Sequence, residues 1–386
     1  MDLKLDRVTS IEDVDPASWN ALAGTHPFHR HEFLAALEHS GAVGAETPWQ
    51  PCHVTAVDEA GVLVGALPLY VKYDSLGEFV FDWSWADAYE RAGGRYYPKL
   101  VAAVPFTPAT GRRILTLDGP RRAAVEDGLI DAARELQREL RASSLHVLFP
   151  TDEERDRLAA AGFLIRKSCQ FHWHNRGYGD FDEFLAQFSS AKRKKARRER
   201  RRIAEAGIGF EHLRGDALDA KDWDSVFEFY SRTFWRRGRP PYLNREFFDE
   251  VARTMPENLV VILARHGRTP IATAICFRSD DALYGRYWGS LADFHSLHFE
   301  ACYYQGIEYC IRHGLSLFEP GTQGEHKISR GFTPTATWSC HELSDPGFQR
   351  AVEDFLERET MHVDAYMEHL RDHVPYRRGA GDVETS

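Results

Sequence analysis

Residues 145–173 read LHVLFPTDEERDRLAAAGFLIRKSCQFHW. Leu145 to Phe149 is a short apolar run of the kind a buried strand needs. Asp152 to Ala161 is a short helix with an acid in its first turn, stopped by Gly162. Phe163 to Trp173 then supplies one or two strands. Just before this stretch, Arg122 to Leu140 is a long helix with Leu129, Ala132, Ala133, Leu136 and Leu140 on one side. Helix, strand, helix, strand, strand is the second half of a mixed α/β sandwich.

Working outward, Leu3–Val8 alternates as a strand, and Pro16–Ala23 and Arg30–Ser40 carry helical spacing. His53–Val57 and Val62–Val71 form a hairpin through Glu59-Ala60-Gly61, and Val101–Phe106 is a further strand. Asp74–Tyr97 is rich in aromatics without clear periodicity. After Trp173 the order restarts. Phe181–Phe188 and the basic run after it are helical, and Ile208–Leu213 is a strand. Trp223–Phe234 and Arg245–Thr254 are helices. Leu259–Arg265, Ile271–Arg278 and Leu283–Trp288 are strands, Phe299–His313 is a helix, and Leu315–Phe318 and Thr337–Leu343 are strands. Both halves run strand, two helices, three strands, helix, strand and closing elements. The absence of a short period makes this domain duplication and not a solenoid.

The bulk numbers agree with a two-domain globular chain of 386 residues. No apolar run approaches the roughly 18 residues of a membrane helix. Met1-Asp2-Leu3-Lys4 lacks the regions of a secretory signal, so a cytoplasmic location is expected. The six cysteines form no Cys-x-x-Cys pair and read as reduced core residues. No His-Glu-x-x-His, Walker loop or Gly-x-Ser-x-Gly elbow is present, so no metal site is expected.

The element order is similar to the GNAT (acyl-CoA N-acyltransferase) fold used twice. Gln170-Phe171-His172-Trp173, Gly285-Arg286-Tyr287-Trp288-Gly289, Leu297-His298-Phe299-Glu300, Cys302 to Glu308 and Gly324-Glu325-His326-Lys327 with Arg330-Gly331-Phe332 resemble a FemAB-like bacterial family. That family is described as peptidoglycan biosynthesis or recognition proteins, or as GNAT-type acyltransferases. The resemblance implies a mixed α/β fold of two tandem GNAT-like domains, 1–178 and 208–375, with a basic helical junction at 179–207 and a disordered tail at 376–386. It implies transfer of an acyl or aminoacyl group from an activated donor to an amine acceptor, such as a peptidoglycan precursor. The donor is aminoacyl-tRNA or acyl-CoA, with no tightly bound cofactor. A CoA-dependent N-acetyltransferase and a non-catalytic protein recognising RNA or a cell-wall precursor are the alternatives.

From Lys192 to Arg202 the chain carries nine basic residues and one acid, a local charge of +8 within a chain of −10, so the rest carries −18. Lys192, Arg193, Lys194, Lys195, Arg197, Arg198, Arg201 and Arg202 would contact a polyanion such as tRNA. Because the bases fall on every face, the other reading is a solvated helix salt-bridged to its acidic surroundings.

Catalytic candidates are His298 and Glu300, which open a helix after a central strand, and His326 in the polar loop after the next strand. Arg286, Gln305, Glu319, Gln323, Lys327 and Arg330 are candidate substrate contacts. Arg286-Tyr287-Trp288-Gly289-Ser290-Leu291 begins as a CoA pyrophosphate loop should but ends in leucine. Asp82, Trp83 and Trp85 either line a cleft or cap the core of the first half.

Overall fold

The computed structural model describes residues 3–291, 294, 296–322 and 324–377. The chain divides into two compact units, each assembled from three stretches. Unit 1 takes Met1–Ser168, Tyr242–Phe247 and Ala336–Asp364; unit 2 takes Cys169–Pro241, Phe248–Thr335 and Ala365–Ser386. The sequence reading has two successive segments with a break at 178. The compact units instead change over inside the strands Leu164–His174 and Thr333–Leu343.

In unit 1, Lys4–Val8, His53–Val57, Leu63–Leu67 and Leu115–Thr116 form an antiparallel four-stranded sheet in that order. A second sheet has the order Thr333–Leu343, Ser144–Leu148, Lys99–Ala102, Leu69–Lys72, Trp49–Pro51. Within it Lys99–Ala102 runs parallel to Ser144–Leu148. The strand expected at Val62–Val71 is thus two strands in different sheets. Pro68, which has no N–H to give a ladder, sits at the break. The helix Arg122–Glu139 buries Val125, Leu129, Ile130, Ala133 and Leu136 against Val54, Ala56, Leu67 and Leu145. It lies so close to the sheet that a Cβ at Gly65 would stand 2.4 Å from Val125. Thr151 and Glu154 close a reciprocal cap at the start of Asp152–Ala160. The aromatic segment without periodicity holds a helix, Trp83–Arg91.

In unit 2 the sheet order is Ile208–Arg214, Leu259–His266, Thr269–Arg278, Ala282–Ser290, Leu317–Glu319, Leu164–His174. The helix Ala220–Trp235 packs directly on Ala282–Ser290. A Cβ at Gly289 would lie 1.9 Å from the Phe229 carbonyl oxygen. The expected helix at Phe299–His313 is present as Leu297–Phe299 and Gln305–His313, joined by a π-helical turn at Glu300–Tyr304. Its inner face, with Tyr303, Ile307 and Cys310, packs with Phe171, Phe184, Phe318 and Phe332. Tyr376, placed in the tail by the sequence reading, is half-buried, and its hydroxyl donates to the Gly331 carbonyl at 2.5 Å. Residues 378–386 lie outside the described residues. All six cysteines are free thiols.

Candidate functional site

The site is set by where two parallel strands part. Ala282–Tyr284 pair with Leu317–Glu319, and the pairing stops there. On the other edge of the same strand the register slips, because Ile275 faces Tyr287 while Cys276 faces Gly285. Arg286 is the extra residue, and a bulge of this kind re-aims a side chain. Arg286 is half-buried. Burial lowers its pKa, with Tyr287 and Glu319 opposing that shift. Glu319, 4% exposed, ends the partner strand.

The chain then enters the polar loop. Gly324 and Gly331 have φ of 113° and 96°, values that suit glycine, and between them Glu325–Arg330 forms a 3-10 helix. Gln323 lies outside the described residues. Lys327 is turned inward and only 1% exposed. Its ammonium donates to the Gly321 carbonyl at 2.5 Å and stands 6.0 Å from the Phe171 ring centroid. Burial, with a carbonyl and a ring rather than a carboxylate against the ammonium, pulls its pKa down to about 7. The sequence reading has Lys327 as a cation that holds anions. The structure makes it an amine that is near half-neutral at physiological pH.

His326 points to the π-helical turn, where its Nε2 meets the Tyr303 hydroxyl at 2.7 Å. His298 stands beside both, with its ring 5.3 Å from Tyr303 and 5.9 Å from His326. Burial and the charges of His326, Arg330 and Lys327 push His298 down to about 4, and His326 is lowered by burial, Arg330 and Lys327. Both imidazoles are therefore neutral at pH 7. Arg330 is 3% exposed, lies 3.3 Å over the Phe299 ring, and donates to the His326 carbonyl at 2.6 Å.

Glu300 does not share this side of the helix. Its Oε1 accepts from Arg200 at 3.0 Å and from Gln305 at 2.8 Å, while Arg200 also reaches Glu308 at 2.6 Å. Gln305 in turn meets His212 at 2.9 Å. Burial raises the Glu300 pKa against the pull of Arg200. Glu300, Gln305 and Arg200 line an open groove of about 750 Å³ with Phe181, Ile203 and Phe210. His298 and Glu300, read together from sequence, thus face different surroundings two residues apart.

The basic helix spans Ser190–Glu205. Lys194, Lys195, Arg197, Arg198, Arg201 and Arg202 are exposed, and Lys192 and Arg193 are half-buried. Arg197 pairs with Asp182 at 2.9 Å and Arg201 with Glu205 at 3.7 Å. Its inner face is Ala196, Glu199 and Ile203. Glu199 accepts from Arg330 at 2.9 Å and from the Tyr304 hydroxyl at 2.7 Å. Sequence reasoning missed Glu199, Tyr303 and Tyr304. The signal for Glu199 is the three-and-four spacing of Ala196, Glu199 and Ile203 inside the charge run.

In unit 1, Asp82 and Trp85 are core residues and Trp83 faces solvent. Asp82 accepts from Lys99 at 2.5 Å and from the Tyr96 hydroxyl at 2.7 Å. Burial works against its charge, but Lys99 and His146 outweigh that and hold it near 2. Trp85 packs edge-on to His341, with Arg166 5.1 Å above it. Trp83 is 50% exposed. Among the described residues, no group of three or more His, Cys, Asp or Glu side chains is arranged to hold a metal, and no helix is long and apolar enough to cross a membrane.

Comparison with known proteins gives one family match. A sequence model of the FemAB-like family, described as peptidoglycan biosynthesis/recognition, matches residues 10–378. The structure of FemX is similar at 12% identity, over 90% of this chain and 100% of that one, with a TM-score of 0.54. The C-terminal domain assigned to a lysylphosphatidylglycerol synthetase of Agrobacterium fabrum is similar at 12% identity, over 89% and 96% of the two chains, with a TM-score of 0.53. L-PGS from Bacillus licheniformis is similar at 10% identity, over 84% and 96%, with a TM-score of 0.51. At these identities the likeness is one of fold, a mixed α/β fold. No curated protein matches.

Proposed function

The chain belongs to the FemAB-like family of peptidoglycan biosynthesis and recognition proteins, and we propose that it transfers an acyl or aminoacyl group from an activated ester or thioester to an amine. The observation that carries this reading is Lys327, a buried amine with a pKa of about 7 where the two strands part. A proton acceptor tuned near the working pH is what attack by an amine requires.

In the proposed reaction the acceptor nitrogen attacks the donor carbonyl carbon. The C–N bond forms and the ester C–O or thioester C–S bond breaks. The amine's proton passes to neutral Lys327 and then to the departing oxygen or sulfur. The Tyr303 hydroxyl, oriented by His326, donates to the developing oxyanion. Arg286 beside Glu319 holds an anionic part of the donor or acceptor. His298, lowered to about 4, is too weak a base for this step at pH 7, and Glu300 is engaged with Arg200. The proposed part of His298 is to wall the site, and that of Glu300 is to keep its helix in place.

Aminoacyl-tRNA is the preferred donor over acetyl-CoA. Gly289, where the pyrophosphate loop would run, is packed on the Phe229 backbone, and the exposed face of the basic helix suits phosphates. The acceptor we propose is a cell-wall precursor peptide with a free side-chain amine, and the protein would act in the cytoplasm. The test supplies labelled aminoacyl-tRNA or acetyl-CoA to such a peptide. Transfer that RNase abolishes and Lys327→Met reduces at least a hundredfold supports the reading. Thiol release from acetyl-CoA without RNA moves the assignment to N-acetyltransfer. Binding of tRNA or precursor without transfer from either donor leaves a recognition protein.

A further inference from the structure

The single acid of the basic run is buried. Glu199 is 7% exposed, while the bases at 197, 198, 201 and 202 around it are exposed. A carboxylate is held inside only when its oxygens are satisfied. Glu199 gives one oxygen to Arg330 and the other to the Tyr304 hydroxyl. Each partner leads into the site. Arg330 lies over the Phe299 ring and donates through its other terminal nitrogen to the His326 carbonyl. Tyr304 follows Tyr303, whose hydroxyl meets the His326 ring. The 3-10 loop that carries His326 and Lys327 and the π-helical turn that carries Tyr303 are therefore fastened to one carboxylate on a third element.

We propose that Glu199 is a positioning residue for the candidate site: by holding and neutralising Arg330 it fixes the loop of His326 and Lys327 against the Tyr303 turn. This rests on the site assignment above but not on the transfer reaction. The charged and titratable groups around His326 are Tyr303, His298, Lys327 and Arg330, with Glu325 engaged by Tyr366. None of these but Glu325 is anionic. Glu199 is thus the negative charge that offsets Arg330 at the loop. Removing that charge leaves Arg330 acting uncompensated on His326, which should bind its proton less readily.

The experiment reads a titration midpoint in the full-length chain and no catalysis. His326 is followed by NMR with labelled histidine. Expected is a fall of roughly half a pH unit or more at His326 in Glu199→Gln. In Glu199→Asp, which keeps the charge, the midpoint should return most of the way. A purely structural role would lower the melting temperature of Glu199→Gln and leave the midpoint in place. An unmoved midpoint overturns the proposal. If Glu199→Gln does not fold, Arg330→Gln, which leaves the Glu199 carboxylate without its cation, should raise the His326 midpoint, and an unmoved midpoint likewise overturns the proposal. Because the titrations use neither tRNA nor acyl donor, a failed transfer assay and a failed positioning assay are separate results.

Discussion

Lys327 shows how far burial changes what a residue means. In the sequence it stands in Gly-Glu-His-Lys with Arg330 three residues on, and reads as an anion holder. The same lysine, 1% exposed and facing a carbonyl and an aromatic ring, has a pKa of about 7. Its environment comes from Phe171, which is far away in the chain, so local sequence holds no trace of it. Burying the amine also weakens the fold. The unfolded chain keeps this proton up to about pH 10.4, and the folded chain only to about 7. Between these values the unfolded state binds more protons, so stability rises with pH. Below pH 7 the penalty is full, and each pH unit between the two titration midpoints is worth about 1.4 kcal/mol. Lys327→Met should therefore stabilise the protein by roughly 2–4 kcal/mol at pH 6, with the gain shrinking toward pH 10. Urea denaturation at both pH values checks this, and an equal effect at both would contradict the buried amine.

At the scale of elements, the sequence makes most helices and strands legible because burial follows period. Leu129, Ala133 and Leu136 are one face, and Gly162 ends its helix with φ of 92°. The π-helical turn is not legible, since Glu300–Tyr304 has ordinary helical spacing and the extra residue shows only in the hydrogen bonds. The basic helix is half legible. Its charges hide the inner face of Ala196, Glu199 and Ile203, and Arg200 belongs with that face and not with the exposed bases.

Three predictions belong here. Replacing Lys194, Lys195 and Arg198 with Gln should weaken tRNA binding and lower the salt slope by roughly 0.7–0.9 for each phosphate no longer neutralised. Arg200→Gln should instead cost roughly 1–3 kcal/mol of stability, because it leaves Glu300 buried without its cation. Filter binding across a salt series and thermal melts separate the two. Gly289→Ala should prevent unit 2 from folding as it does, since the new methyl meets the Phe229 backbone and not a movable side-chain tip. Loss of near-UV circular dichroism is the readout.

For the whole molecule, duplication is legible in the repeated order of elements, but the exchange of stretches is not. Local periodicity says which residues form a strand and nothing about which distant strand it joins. Ser339–Leu343 pair with Ser144–Leu148, and Val352 and Leu356 share a small core with Trp85 and Tyr96. A fragment ending at residue 178 therefore lacks a strand and a helix of its own unit. It should stay unfolded or aggregate, and its amide NMR spectrum should show poor dispersion.

The same exchange sets a clock on the ribosome. Ser144–Leu148 leaves the exit tunnel with one edge bare, and its partner strand Ser339–Leu343 is still far from being made. At about 5–20 residues per second, that edge waits on the order of 10–40 s. During that interval it is a ready template for pairing with another nascent chain. Slow translation should thus lower the yield of this protein, and a holding chaperone should recover it.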